Sequence, residues 1–309
     1  SNAAHAQSRT DLPALLRLRW RTPPMAALVL AAILASSDTF VWLACAICLS
    51  WAAQPLWTWL VSRPHTPAGD QELTSGEREH LHAIARATWG YFERCVGPDD
   101  NHLPPDNLQT TPHDMLAHRT SPTNIGLYLL SVACARKFGW IDTPQLLARL
   151  EPTLATLLRL QRYRGHFLNW YDTQTCAPLP PLYVSTVDSG NLSGHLLAVA
   201  QACLALAAST SQADAAGAPD ARRLQAIAQA LEQLAWAPEF GFLYHPRRHL
   251  LHIGYRVQED MPDANFYDLL ASECRLTSLL AIAKGDVPVR HWAALGRPFF
   301  ASGVMEGLC

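Results

Sequence analysis

The chain has 309 residues, of which 49% are hydrophobic and only 16% charged, so it can fill a sizeable core and is not disordered throughout. Lys and Arg number 24 against 26 Asp and Glu, a net charge of −2, and this balance gives no global electrostatic reason to expect nucleic acid as a partner. The eight cysteines stand at positions 45, 48, 95, 134, 176, 203, 274 and 309 without the spacing of a disulfide scaffold or a zinc ribbon, and reduced thiols of a cytoplasmic domain fit them best.

Ser1, Asn2 and Ala3 read as a cloning remnant, and residues 1–24 as that remnant plus a basic segment carrying Arg9, Arg17, Arg19 and Arg21. A cleavable signal peptide does not fit the next sixty residues. Residues 25–62 are almost wholly apolar. Thr39 to Val61 is long enough for one helical span, whereas Met25 to Ala35 is short, a second marginal span or an interfacial helix. The Cys45-x-x-Cys48 pair lies inside this run and reads as a buried pair of thiols. One span is the safer reading; Arg63 beyond it and the arginines before it put positive charge on both flanks, so a two-span hairpin would leave both flanks, and the main domain, on the cytoplasmic side of an inner membrane. The competing reading is a buried hairpin of a soluble protein, with Trp42, Trp51, Trp57 and Trp59 packed in a core.

Residues 63–73 are a short Pro/Gly linker, and the main domain is expected over 74–309. Thr74-Ser75-Gly76-Glu77 has the form of a capping box opening an amphipathic helix. Further helices are predicted from Pro122 after Ser121, from Pro144 after Thr143, and over about 192–208, 221–236 and 266–283. Gly241 to Val257 reads as a β-hairpin. Some six antiparallel helices joined by long polar and aromatic loops predict a mainly α fold, a toroid of helical hairpins with a groove at one end of the ring.

Four polar clusters concentrate groups that suit a sugar, whose hydroxyls donate and accept while its ring faces are apolar. They contain Asp106 in 103–107, His118, Arg119 and Asn124 in 117–124, Trp170, Tyr171 and Asp172 in 167–172, and Asp188 and Asn191 in 187–191. Each has a plainer reading: Asp188 and Asn191 as caps of the adjoining helix, and Asp106 and Asn107 as an Asx turn. Glu273, after Tyr267 and Asp268, is the sharpest acid. A half-buried carboxyl suits a general acid, while a structural carboxylate paired with Arg275 or Arg297 is the alternative. Glycoside chemistry needs two carboxyl groups, and no convincing second one is evident. No metal-ligand cluster or phosphate loop appears, so no metal or organic cofactor is implied.

Five stretches in order, LPPDN, AHRTSPTNIGLYLLS, RYRGHFLNWYDT, YVSTVDSGNLSGHL and FYDLLASECRLTSLLAIAKGDVPVRHW, resemble the central region of cyclic β-1,2-glucan synthases. In that family a multi-span glycosyltransferase precedes a glucoamylase-like (α/α)6 domain that closes linear β-1,2-glucan into rings by transglycosylation. The resemblance implies that 25–62 are the last membrane segments, that 72–297 open the cyclising domain, and that Glu273 in LLASE is one catalytic carboxylate. It also implies that Asp106, His118, Arg119, Asn124, Trp170, Tyr171, Asp172, Asp188, Asn191, Tyr267 and Asp268 line the sugar subsites. The family's second carboxylate sits in a later Trp-Gly-Ile-Ser-Glu stretch that is not found here, which leads to the expectation of a partial (α/α)6 toroid. Such a chain would be marginal or oligomeric, or would pair with the rest of the ring, and would bind glucan with little turnover. Two rivals remain: a non-catalytic glycan-binding or scaffolding module, and a simple β-1,2-glucan hydrolase.

Overall fold

The computed structural model describes residues 20–35, 41–61, 73–213, 218–297, 299–302 and 305–308, which divide into two units, residues 1–77 and 78–309. The basic residues before 20, the linker up to 72 and Cys309 lie outside the described residues.

In the first unit, α1 (Thr22–Ala35) packs on α2 (Val41–Ala52), and α3 (Gln54–Val61) comes almost at once after it. The single long helix expected up to Val61 is broken, and the cause is local: Pro55 has no N–H to donate back to Trp51. α1 and α2 are apolar on every side, and Leu28, Trp42, Leu43, Ile47 and Leu49 are exposed. A helix of that kind belongs in a core or in lipid.

The second unit holds all but the first residues of α4 (Ser75–Cys95), then α5 (Pro122–Lys137), α6 (Thr143–Arg159), α7 (Thr186–Ala213), α8 (Ala218–Trp236), α9 (Arg275–Lys284) and the short α10 (Arg290–Ala294). Local signals set several starts. Thr74 and Glu77 close the capping box, with the Thr74 N–H on Glu77 Oε2 at 2.8 Å and the Glu77 N–H on Thr74 Oγ1 at 3.3 Å. Ser121 caps α5, and Asp142, one residue before the expected Thr143, caps α6 in a reciprocal box with Gln145.

Packing sorts the helices into two layers. α7 lies against α5 on one side and α9 on the other, while α6 packs on α5 and α8, and α8 on α7. The outer helices are amphipathic: Leu146, Leu147, Leu150, Leu154 and Leu157 form the buried stripe of α6, and Ala221, Leu224, Ala228, Leu231 and Ala235 that of α8. The inner helix α7 is apolar along most of its length, walled by neighbours over its first turns and exposed at Ala202, Leu204 and Ala205 further on. Its Thr186–Ser209 stretch is the one described helix long and apolar enough to cross a membrane, yet Leu192, Leu196, Val199, Ala200, Cys203 and Ala207 are buried within the domain.

Glycines let the inner helices approach. A Cβ on Gly126 of α5 would lie 2.5 Å from His195 Nδ1 of α7. On α7, Gly190 and Gly194 sit one turn apart, and their Cβ atoms would meet Thr277 and Leu276 of α9. Short strands tie the loops to the helix starts: Arg119–Thr120, just before α5, pairs with Tyr171–Asp172, and Tyr183–Ser185, just before α7, pairs with Gly254–Arg256.

Two expectations are corrected. The hairpin expected over 241–257 is limited to Tyr244–His245 with Leu250–His252, because Gly254–Arg256 is taken by Tyr183–Ser185 and Met261–Pro262. The helix expected from Phe266 begins only at Arg275, since Phe266 and Tyr267 pair as a strand with His252 and Leu251.

Candidate functional site

Small-ligand sites commonly measure roughly 300–1,000 Å³, and a hollow of ≈ 500 Å³ lies where the starts of the three inner helices meet. Ser121, Thr123 and Asn124 come from the start of α5, Val187, Asp188 and Asn191 from the first turns of α7, and Glu273 from the turn two residues before α9. The inner helices therefore run parallel with their positive dipole ends at the hollow.

Residues 187–191, expected as a loop, are the opening of α7, and this decides what Asp188 can do. Ser185 Oγ takes the Asp188 N–H at 3.3 Å, so the Asp188 carboxylate is not consumed as a cap. Thr123 donates its hydroxyl to Asp188 Oδ1 at 2.6 Å, and Asn191 Nδ2 donates to Thr123 Oγ1 at 3.4 Å. Glu273 is exposed rather than half-buried and, among the described residues, forms no hydrogen bond or ion pair. Arg297, one of its two suggested partners, donates instead to the Leu295 and Trp292 carbonyls. Tyr267 stands close enough to both acids that burial first, then the charges of Cys274, Asp188 and Glu273, push its phenol up to about 12.

Beside this hollow is a second of ≈ 320 Å³, lined by Tyr91, Pro105, Asp106 and Asn107, and sharing Asn124 and Leu127 with the first. The Asx turn that was the plainer reading of Asp106 is not formed among the described hydrogen bonds. Its carboxylate accepts from Arg119 Nε at 3.2 Å and Nη2 at 2.9 Å, from Asn107 Nδ2 at 3.0 Å and from Asn124 Nδ2 at 3.3 Å. The Arg119 guanidinium lies over the Trp170 ring, 5.0 Å from its centre.

The other expected site residues divide. His118 is partly exposed, with Nδ1 2.8 Å from the buried Asp100 carboxylate, which Thr173 also contacts. Asp172 is held by its own turn: the Thr175 N–H above all, then the Thr175 hydroxyl and the Gln174 N–H, keep its carboxyl below the usual range. Tyr171 is a correction. It is fully buried, accepts the Leu168 N–H at 2.7 Å and donates to the Gln161 carbonyl at 2.6 Å, so no sugar can reach its hydroxyl. Asp268 is exposed, outside both hollows.

Sequence reasoning misses His195 and Thr123. The signal for His195 is the spacing of Asp188, Asn191 and His195 along one helical face, invisible as long as 187–191 is taken for loop. Among the described residues no three His, Cys, Asp or Glu side chains converge to hold a metal ion.

Parallel inner helices, amphipathic outer ones and a groove at the inner helix starts define the glucoamylase-like (α/α) toroid class. The fold matches a glucoamylase-like structure from Bacteroides fragilis with a TM-score of 0.58 at 16% identity, over 79% of this chain and 57% of that one. It matches an endo-β-1,2-glucanase from Chitinophaga pinensis at 0.55 and 15% identity, over 77% and 56%. An endo-β-1,2-glucanase from Talaromyces funiculosus gives 0.55 at 12% identity, over 75% and 55%. In sequence, the chain is 36% identical over 405 aligned positions to the cyclic β-(1,2)-glucan synthase NdvB of Rhizobium meliloti, covering 94% of this chain and 14% of that protein. The similarity to a segment of a cyclic β-(1,2)-glucan synthase thus extends along nearly the whole chain. No family model matches it.

Proposed function

We propose that this chain is a β-1,2-glucan-processing domain that binds glucan in the joined hollows and acts on it by carboxylate acid/base chemistry, with Glu273 as one catalytic group. The observation that carries the reading is that Glu273, Asp188, Asn191 and Asn124, from three separate helix starts, line one ≈ 500 Å³ hollow. Similarity to the cyclic β-(1,2)-glucan synthase favours transfer to another sugar hydroxyl, closing a ring, over transfer to water. Arg119 and Trp170 would extend the binding surface along the chain of sugars, through a cation over a ring face and a guanidinium held in place by Asp106.

The test is Glu273→Gln, assayed for β-1,2-glucan binding and for products. The expected result is retained affinity with turnover reduced about a hundredfold or more, the usual worth of a general acid or base. Rings among the wild-type products support transglycosylation, and short linear chains alone support hydrolysis. Wild-type binding without turnover, unchanged by Glu273→Gln, supports a non-catalytic binding module instead.

The apolar helices α1 to α3 are proposed to lie in the membrane. α1 alone, 14 residues or about 21 Å at ~1.5 Å per residue, is short of a ~30 Å hydrocarbon core. α2 and α3, 12 and 8 residues, measure about 18 and 12 Å by the same rise, so only the two in succession across the break at Ala53 approach that thickness, and their exposed Trp42, Ile47, Leu49 and Trp57 suit lipid. Paired as a hairpin, as the packing of α1 on α2 suggests, these segments return the chain to its starting side, and arginines on both flanks favour the cytoplasmic one for the main domain.

A further inference from the structure

His195 stands two turns into α7 and lines the same hollow as Asp188, Asn191 and Glu273. Its two ring nitrogens are in opposite situations. Nδ1 is sealed from solvent against Gly126 of α5 with no hydrogen-bond partner, whereas Nε2 makes no hydrogen bond among the described residues and is not one of the sealed polar atoms. An N–H shut away without an acceptor is the more costly way to leave a nitrogen unpaired, so the neutral ring carries its proton on Nε2. Burial also lowers the tendency of His195 to take a second proton. The result is a fixed donor on the wall of the hollow, beside two carboxylates that can only accept when ionised.

We infer that His195 is a substrate-positioning residue whose Nε2–H donates to a sugar hydroxyl in the hollow lined by Asp188, Asn191 and Glu273. The inference rests on the glucan reading of that hollow and adds to it a donor of fixed direction. The amides of Asn124 and Asn191 already donate to Asp106 and Thr123, whereas His195 Nε2 is committed to no group among the described residues. This gives the hollow one point at which a hydroxyl must present its oxygen, and so a register for the sugar.

The experiment uses the full chain and a linear β-1,2-linked glucose pentasaccharide as probe. Affinity is measured for the wild type, His195→Gln and His195→Asn, with thermal unfolding of each. The Gln amide reaches about as far as Nε2 and the Asn amide only as far as Nδ1, so Gln is expected to stay within about threefold of wild type and Asn to lose tenfold or more. Nitrogen NMR of the wild-type ring provides the second measurement: the proton is expected on Nε2, and the Nε2 signal is expected to move when the pentasaccharide is added. Equal affinities in all three proteins, a proton on Nδ1, or an Nε2 signal indifferent to bound sugar each overturns the inference while leaving the glucan reading in place. A wild type that binds no pentasaccharide overturns the glucan reading itself, and the role of His195 with it. If both variants unfold early, the movement of the wild-type Nε2 signal alone decides.

Discussion

Thr123 and Asp188, 65 residues apart, are joined by a hydroxyl-to-carboxylate hydrogen bond of 2.6 Å that pins the start of α5 to the first turn of α7. The bond does two things at once. It sets the separation of two inner helices at their functional end, and it orients a carboxylate toward the hollow that also holds Glu273.

Thr123→Val keeps the shape and removes the donor. Because the bond is to a carboxylate that is only partly buried, the cost to folding is expected to be about 1–2 kcal/mol, measured by urea unfolding. Glucan affinity is expected to fall with it, since Asp188 and Asn191 both lose the hydroxyl that aligns them. A variant with unchanged stability and unchanged affinity would show that the helix starts are held by packing alone.

Two glycine-to-alanine changes in helices are expected to have opposite signs. At Gly90 of α4 a Cβ meets nothing within 4 Å, so alanine is expected to stabilise by about 0.5–1 kcal/mol through helix propensity. At Gly190 of α7 the same Cβ would overlap Thr277 of α9, and a loss of about 2 kcal/mol or more is expected despite the better propensity. Thermal unfolding of the two variants side by side decides whether the α7–α9 approach is as close as described.

Stability is expected to fall on acidification below neutral pH, with His166 the main contributor. This imidazole is buried against Phe240 and Phe242, with Nε2 2.9 Å from the Glu239 carbonyl and Nδ1 2.8 Å from Ser189 Oγ. Burial above all lowers its pKa from 6.5 to about 4. Between those values the unfolded chain binds a proton that the folded one refuses. The neutral ring's stabilisation is therefore full above pH 6.5 and is lost as pH falls toward 4, at most about 3 kcal/mol. His102, His252 and His291 are shifted in the same direction by burial and add to the slope. Urea unfolding across pH 4–7 should show the slope, and His166→Gln should flatten it; an equal slope in both proteins would remove His166 from this role.

Ile47→Arg on the exposed face of α2 is expected to release the chain from membranes while leaving the second unit folded. An arginine in the centre of an inserted helix costs about 2.5–3.5 kcal/mol on insertion scales. Flotation with liposomes measures the release, and equal flotation of variant and wild type would place α1 to α3 outside the lipid.

The sequence by itself determined the helices whose signals are local. The Thr74–Glu77 capping box, the cap at Ser121 and the apolar stripes of α6 and α8 act over three or four residues and stand where the sequence places them, and the Asp142–Gln145 box lies within one residue of the expected start. The polar residues of the groove were legible as a set, because Asn124, Asp188, Asn191 and Glu273 are types that suit sugars. Only the tertiary structure decided how they are used. That 187–191 is helix rather than loop, that Phe266 and Tyr267 are strand, that Tyr171 is sealed in the core and that His195 faces the hollow all depend on surfaces contributed by distant chain. An inner helix whose opening turns are walled by two others has no clean polar face to betray its period, and a hydrogen bond across 65 residues leaves no mark in either local sequence.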